Sequence, residues 1–582
     1  MKDAKKVYSR EKVSFKDYLA ALSDIRLPWI FLALTFAATL VNTFATMHIA
    51  TFTGTMVDEL GNVPTAELVK YGGNYLLLAV STALVLVLGA IASERINLGL
   101  RTRLWKKIIY TPQSCYDRDG GEALVSRVTT DCDFASKLLT TIVSMIGIAV
   151  GMGIYIARML KISAKISAAM LLLIPVSVLI GWIYARLKFI IAQKSQAMLA
   201  RTTAYLIERT KSLNLIKTSN AQSDEIENGR ENFDEQYVMQ IKTGLLNVFY
   251  TGLQTLYTVL TILIPFLIGA KLVSEGVLKV GHIVAFYTIA GAVGTSATNL
   301  INSVGTIRQA NGALSRVLNT LKLPDEEHAG GRLMDDPDQD IEIEEVEFSY
   351  GEKKVLKNIS CTIPKNKVTA IIGSNGSGKS TFFKLLNRLY DPAEGAMQFG
   401  ALDAKDYDLH AWRKAFCLVA QGSPLMEGTI RENICYGCER IISDDELIKV
   451  ARKSRAYDFI ERLPEGFDTR VAPGGTNFSG GQRQLIAVAR AMMNNPDYLL
   501  LDEATSNLDV KNERLVMDAL EELMSGRTTV IIAHSLATIR KADHVIVIRE
   551  GRIESSGSPT EILKSTDNYL AKVMSRKSSV NT

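Results

Sequence analysis

Apolar residues are spread unevenly along the 582-residue chain. Six apolar runs crowd into the first half, near residues 27–50, 71–93, 138–160, 166–186, 246–272 and 281–304. A bilayer core needs roughly 20 apolar residues of helix, so each run predicts one membrane span. The run over residues 75–92 is the cleanest, and the last, rich in Gly, Thr and Asn, is the weakest by hydropathy. Beyond about Ala310 the pattern turns charged and loop-rich. Past Ile341 short β-type runs alternate with helical ones, the mark of an α/β sheet.

The stretches between the runs alternate in length. Those after runs one, three and five are short, while 94–137 and 187–245 are long and keep helical periodicity, predicting helices that continue well past the bilayer. The first long stretch carries Arg95, Arg101, Arg103, Lys106, Lys107, Arg118 and Arg127. The second carries Lys188, Lys194, Arg201, Arg209, Lys211 and Lys217. Excess Lys and Arg marks the cytoplasmic side, which places both long stretches and both termini there.

Pro175 and Pro265 fall inside the fourth and fifth runs, where each removes a backbone hydrogen bond and acts as a hinge or as a static bend. Two polar stripes recur at helical spacing: Thr35, Thr39, Asn42 and Thr46 in the first run, and Thr295, Asn299 and Asn302, with Thr298 adjacent, in the sixth. Such residues face a partner helix or a watery cavity rather than lipid. Both readings stay open, and neither stripe carries an acid or strong base that suggests a proton relay.

Composition sharpens this picture. Hydrophobic residues make up 47% and the mean hydropathy is +0.11, high for a wholly soluble protein. The net charge of +5 comes without a dense basic block, which argues against nucleic-acid binding. The basic start, MKDAKKVYSREK, lacks the apolar stretch and cleavage site of a secretory signal and the Arg/Ser bias of a transit peptide. A cytoplasmic start in a plasma membrane, of bacterial inner-membrane type, is expected. Six cysteines are present; Cys435 and Cys438 form a CxxC that no second pair completes, so they read as incidental thiols of a reducing compartment.

The chemistry lies in the second half. Gly373, Ser374, Asn375, Gly376, Ser377, Gly378, Lys379 and Ser380 spell a P-loop between an apolar strand over 368–372 and a helix opening near Thr381. Its glycines let backbone N–H groups wrap phosphates, and the helix N-terminus adds a positive dipole. Lys379 is expected to reach the β- and γ-phosphates of ATP, and the Ser380 hydroxyl to ligate Mg2+. A second apolar strand over 498–501 ends in Asp502 and Glu503, an acidic pair suited to placing Mg2+ and activating water. Between them Phe478, Ser479, Gly480, Gly481 and Gln482 open another helix, as an anion site or as a structural N-cap.

Together these motifs resemble those of the ATP-binding cassette (ABC) transporters over nearly the whole chain. Ser479 to Gln482 matches the family signature LSGGQ, with Phe478 in place of Leu. Gln421 falls at the Q-loop, residues 506–509 at the D-loop with Asp509, His534 at the switch histidine, and Tyr350 at the aromatic that stacks on adenine. Tyr116, Asp117, Arg118, Gly121, Glu122, Ser126 and Arg127 are similar to the first intracellular loop of the exporter-type (type IV) branch.

The resemblance implies a six-span helical transmembrane domain followed by an α/β P-loop domain. It divides the chain into a cytoplasmic N-terminal elbow segment over 1–26, a transmembrane domain over 27–322, a linker over 323–339, a nucleotide-binding domain over 340–575 and a flexible tail over 576–582. It makes Glu503 the general base. His534 holds the γ-phosphate and attacking water, and Gln421 senses Mg2+ and couples to the membrane domain. Ser479 and Gly481, flanked by Gly480 and Gln482, serve the nucleotide of a second cassette. The working unit is then two half-transporters in a lipid bilayer. Retention of Glu503 and His534 favours a homodimer over a heterodimer.

Three departures stand out: Pro473 replaces the acid of the family's TxVGExG segment, Phe478 opens the signature, and Ser535 replaces the arginine after the switch histidine. The implied activity is ATP-driven export of an amphipathic drug, lipid or peptide by alternating access. The alternatives are an importer of a small chelate on the same fold, and an ATP-gated channel or regulatory subunit.

Overall fold

The computed structural model describes residues 26–59, 64–326, 331–334, 339–502, 510–533 and 536–565. The chain forms two compact units. One holds Met1–Tyr110 and Asp119–Leu323; the other holds Pro324–Thr582 together with a short inserted stretch, Thr111–Arg118.

The first unit is all helix: α1 (Trp29–Asp58), α2 (Thr65–Ile109), α3 (Cys132–Ile162), α4 (Ala164–Leu171), α5 (Leu173–Lys211), α6 (Gln222–Ser274) and α7 (Val280–Leu321). Among the described residues five helices are long and apolar enough to cross a membrane; they carry runs one, two, three, five and six. The long polar stretches are these same helices continued. With 45 residues α2 is about 67 Å long and with 53 residues α6 is about 80 Å long, far beyond the ~30 Å hydrocarbon core.

The fourth run departs from the expected single helix. It is split between α4 and α5, with a turn at Leu172. Pro175 explains the break: its ring would clash with the carbonyl of Leu171, and it has no N–H to continue the ladder. As the third residue of α5 it sits in the first turn, where no intrahelical donor is needed. Pro265, in contrast, lies buried within the unbroken α6. A π-helical turn over Arg127–Asp131 precedes α3. Asp131 accepts from Arg316 Nε and Nη2 at 2.8 and 2.5 Å, and Arg127 donates to Asp119 and to the Thr320 hydroxyl at 3.0 and 2.9 Å.

The two polar stripes differ. On α1 the hydroxyls of Thr35, Thr39 and Thr46 donate to carbonyls one turn back, and Asn42 Nδ2 donates across to Thr82 Oγ1 at 2.7 Å on α2. Gly147 of α3 approaches Thr39 so closely that a Cβ there would lie 3.1 Å from its methyl carbon. This stripe joins helices. On α7, Thr295, Asn299 and Asn302 stay exposed.

Helices α1 and α7 meet where no side chain fits. A Cβ on Gly281 would lie 1.9 Å from the Gly54 carbonyl oxygen, and Asp58 Oδ1 accepts from the Gly281 N–H at 2.7 Å. Small residues permit such close approach within membranes. Gly281→Val is expected to lower Tm and the yield of monodisperse protein, since neither backbone can yield and overpacking costs about 1–3 kcal/mol or more. The control Gly291→Ala, which meets nothing within 4 Å, leaves both unchanged.

The second unit is an α/β domain whose described residues form two large sheets and a small antiparallel pair, β7 (Gly428–Thr429) with β8 (Arg470–Val471). The antiparallel sheet has the order β2-β1-β4-β5, from β1 (Ile341–Tyr350), β2 (Lys353–Ile363), β4 (Glu394–Phe399) and β5 (Leu402–Asp403). The six-stranded sheet has the order β12-β11-β3-β10-β9-β6, from β3 (Val368–Ile372), β6 (Phe416–Val419), β9 (Tyr498–Asp502), β10 (Thr528–Ile532), β11 (His544–Arg549) and β12 (Arg552–Gly557). All its neighbours run parallel except β12, which is antiparallel to β11.

Strands β3, β9 and β10 are apolar on both faces because helices or the other sheet cover each side. Between the sheets Trp412, Phe416 and Tyr498 stack, with centroids 4.8 and 4.7 Å apart. Their polar atoms are satisfied: Trp412 Nε1 donates to Leu386 O and Tyr498 Oη donates to Gln339 O, both at 2.8 Å.

Candidate functional site

The P-loop follows β3 and opens α8 (Lys379–Leu386). Gly378 has φ +109 at the helix N-cap, a conformation only glycine adopts at ease. It turns the loop so that the first-turn N–H groups of α8 face the loop's concavity. A Cβ on Gly373 would lie 2.2 Å from the carbonyl oxygen of Ile548, so the end of β11 sets how close the loop sits to the sheet. Lys379, nearly buried, donates from Nζ to Gly373 O and Ser374 O, each at 2.9 Å, which curls the ammonium over the loop. The Ser377 hydroxyl is buried and has no hydrogen-bond partner among the described residues. Ser380 is exposed at the rim. A buried hydroxyl, a curled ammonium and the N-terminus of α8 around one concavity suit a polyphosphate.

A cleft of about 530 Å³ gathers Gly376, Gly378, Lys379, Ser380 and Thr381 with Tyr350 at its mouth. The Tyr350 ring is held edge-on by Phe348 and Tyr390, at 4.9 and 5.5 Å between centroids. Its lining also brings in residues the motifs do not flag: Lys353, Lys354 and Lys357 of β2, and Glu550 with Gly551 from the turn before β12. Lys354 pairs with Glu347, and Lys357 N–H donates to Gly551 O at 2.7 Å. The run Lys353, Lys354, Lys357 just after Tyr350 was the available signal.

Asp502 ends β9 in register with Ile532 of β10, which is in register with Ile371 of β3. The carboxylate thus stands two strand spacings from the P-loop strand, about 10 Å along the same sheet edge. Gln421 lies exposed in the turn after β6, at that same end of the sheet. Ser380, Asp502 and Gln421 are all hard oxygen donors of the kind Mg2+ prefers. Glu503, Asp509, His534 and Ser535 lie outside the described residues.

The signature segment sits apart. Ser479 caps α9 (Gly480–Asn494): its N–H donates to Gln482 Oε1 at 2.9 Å, and its Oγ accepts from the Gln482 N–H at 3.3 Å. This reciprocal pair is a capping box, so the structural reading of the motif holds within the chain. Ser479 and Gly480 remain exposed, and none of Ser479, Gly480, Gly481 or Gln482 lines the P-loop cleft. Phe478 is buried in the core of the α9 region and meets Phe459 at 6.4 Å. Its departure from Leu is a packing choice.

Pro473 is exposed and opens a tight turn in which Gly474 and Gly475 both have φ +68. Asn477 clasps that turn, accepting from the Ala472 N–H and donating to Arg470 O. Burial pushes the Cys361 thiol up to about 12 and Cys417 up to about 11, which keeps both protonated near neutrality.

Fold and site define a P-loop nucleotide-binding domain fused behind membrane-spanning helices. Residues 29–296 match the family described as ABC transporter transmembrane region, and residues 356–506 match the family described as ABC transporter. A multidrug resistance ABC transporter ATP-binding and permease protein of Lactococcus lactis subsp. lactis is 29% identical, covering 98% of this chain and 97% of its own. The ATP-dependent lipid A-core flippase of Saccharophagus degradans is 31% identical over 81% and 80% of the two chains. The mouse mitochondrial ATP-binding cassette sub-family B member 10 is 30% identical over 92% and 78%. The chain belongs to the ABC transporter family, as a half-transporter of the exporter type with membrane region and ATP-binding cassette in one polypeptide.

Proposed function

We propose that two copies of this chain form an ATP-hydrolysing exporter that moves an amphipathic drug, lipid or peptide across a plasma membrane, with the cassettes on the cytoplasmic side. The observation that carries this reading is the separation of the two halves of the ATP site. The P-loop cleft holds Tyr350 and Gly376 to Thr381, while exposed Ser479 and Gly480 lie elsewhere on the same cassette. A second chain can bring its signature to the nucleotide that this chain's P-loop holds.

In that assembly Tyr350 stacks on the base. The backbone from Gly373 to Ser380, with Ser377 Oγ and Lys379 Nζ, binds the β- and γ-phosphates. Ser380, Gln421 and Asp502 would hold Mg2+, which would supply positive charge against the transferred phosphoryl group. Glu503 takes the proton of the attacking water as the bond from γ-phosphorus to the bridging oxygen breaks, and ADP and phosphate leave. His534 orients the γ-phosphate and that water. Ser479, Gly480, Gly481, Gln482 and Asp509 act at the interface between cassettes. The exposed residues Thr295, Asn299 and Asn302 of α7 supply uncharged polar contacts for an amphipathic cargo. The names of the lactococcal and lipid A-core relatives support drugs and lipids as the cargo classes.

The test is reconstitution in liposomes. ATP hydrolysis is expected to rise with ethidium or a fluorescent phospholipid, and that probe is expected to move out of the compartment facing the cassettes. Hydrolysis without vectorial movement of dye, phospholipid or peptide overturns the exporter reading.

A further inference from the structure

Helix α3 turns into α4 over one residue, Ser163, whose Oγ caps α4 by accepting from the Ile166 N–H at 3.4 Å. The turn closes the end of the span opposite the polar stretch that leads into α3. Helix α4 folds back along α3, since Ile166 and Met170 pack with Tyr155 and Met159 in one apolar cluster. Basic residues are scarce at this end of a membrane span. Here Arg158, Lys161 and Lys165 follow one another closely.

Nothing nearby in the chain balances them. No Asp or Glu occurs between Asp133 and Glu208. Among the described residues none of the three cations makes a hydrogen bond or an ion pair. Asp58, the acid that ends α1, accepts from the Gly281 N–H instead. Lys161 and Lys165 are exposed.

Arg158 lies deeper, four residues before the end of α3, which is about 6 Å inside the turn. It shares a stripe with Gly147 and Gly151, where α3 meets Thr39 and Thr43 of α1. Its Nε is buried and has no partner among the described residues. Ser167 lies four residues past Ser163 on α4, at about the same depth. It is 1% exposed, and its hydroxyl also lacks a partner among the described residues. Two buried donors with nothing to bond, one of them a cation, are costly inside a span unless an anion meets them.

We propose that the α3–α4 turn is a binding site for the headgroup phosphate of an anionic phospholipid. Arg158 is its deep donor, and Lys161 and Lys165 form its rim. The planar guanidinium can hold two phosphate oxygens side by side. The lysines, on flexible stems, add charge from the headgroup level. Depth favours a lipid over a free anion, because Arg158 sits within the helix that crosses the bilayer. Further into the span Val150 and Ile146 stay exposed on α3, apolar surface along which acyl chains can lie. The site is separate from the ATP cleft and from the α7 stripe, and it rests on the membrane span of α3 rather than on any choice of cargo.

The experiment uses the full-length protein in phosphatidylcholine vesicles. These contain a trace of phosphatidylglycerol that carries a photoactivatable crosslinker on its headgroup, and the label is mapped by peptide mass spectrometry. Label is expected on residues 155–168. Excess unlabelled phosphatidylglycerol should remove it, while further phosphatidylcholine or inorganic phosphate should not. Arg158→Gln removes the charge at similar size, and labelling there should fall at least about 5-fold. Lys161→Gln with Lys165→Gln should cost only about 2-fold, as exposed cations contribute little.

Label confined to other segments overturns the proposal. Equal competition by phosphatidylcholine also overturns it, since the charge is then not read. Competition by inorganic phosphate alone makes the ligand a free anion and overturns the lipid site. Undiminished labelling in Arg158→Gln removes Arg158 as the donor and the proposal with it. The competition arms need only the unmodified protein, so they decide the matter even where a variant unfolds.

Discussion

Lys379→Ala is expected to reduce ATP hydrolysis at least about 100-fold, as removal of one preorganised charge at a transferring group does elsewhere. The ammonium has no substitute nearby. Lys353, Lys354 and Lys357 reach the same cleft from β2, but they stand at its wall rather than over the loop, and Lys354 is engaged by Glu347. The loop itself also loses something. Lys379 Nζ is a donor to both the Gly373 and Ser374 carbonyls, so alanine removes the tie that keeps the loop curled. ATP affinity should therefore fall along with turnover. Lys379→Arg should not rescue, because a bulkier planar fork does not replace a compact point charge in a closed loop. Thermal unfolding separates loss of site from loss of fold: the cassette core lies in the aromatic stack of Trp412, Phe416 and Tyr498, away from Lys379, and Tm should change little. Hydrolysis within a few-fold of the unmodified protein would overturn the assignment.

Glu503→Gln is expected to split binding from chemistry. General-base catalysis contributes about 100- to 10,000-fold, so turnover should drop by a factor in that range. Nucleotide affinity should hold or rise, since the amide keeps the size of the side chain and removes a negative charge near the phosphates. If the proposed two-chain assembly is correct, ATP then accumulates unhydrolysed between cassettes and a nucleotide-dependent dimer of the full chain becomes measurable by size. A variant that keeps full turnover would leave Glu503 without the base role, and one that loses ATP affinity as well would make it a binding residue instead.

The parts of the cassette that were legible in the sequence are those set by local geometry. A P-loop needs a strand, glycines at fixed offsets and a helix start, and Gly373 to Thr381 shows all three in one stretch, so β3 and α8 fall where expected. Asp502 was readable for the same reason, as the polar end of a short apolar strand.

What the sequence left hidden depends on other parts of the chain. That Lys353 and Glu550 share a cleft follows from the turn before β12 lying against β2, where Gly551 approaches the Val355 carbonyl too closely for any side chain. The Tyr390–Asp117 bond joins residues 273 positions apart. The α1 stripe read equally as helix contact or cavity lining, because periodicity says which residues share a face but not what covers it; Asn42 reaching Thr82 decided for contact. The break at Leu172 was foreshadowed by Pro175, and only its position in the first turn of α5 showed that the result is two helices rather than one bent helix.

The contact between Gly54 and Gly281 has a mechanical consequence. It lies at the second residue of α7, a rod of 42 residues and about 63 Å. Backbone packed on backbone, with the Gly281 N–H held by Asp58, resists sliding. The opposite end is tied as well: Arg316 bonds Asp131, and the Thr320 hydroxyl accepts from Arg127. Anchored at both extremities, such a rod transmits a push along its whole length instead of pivoting. A slack bearing at Gly54 would leave it held at one end only.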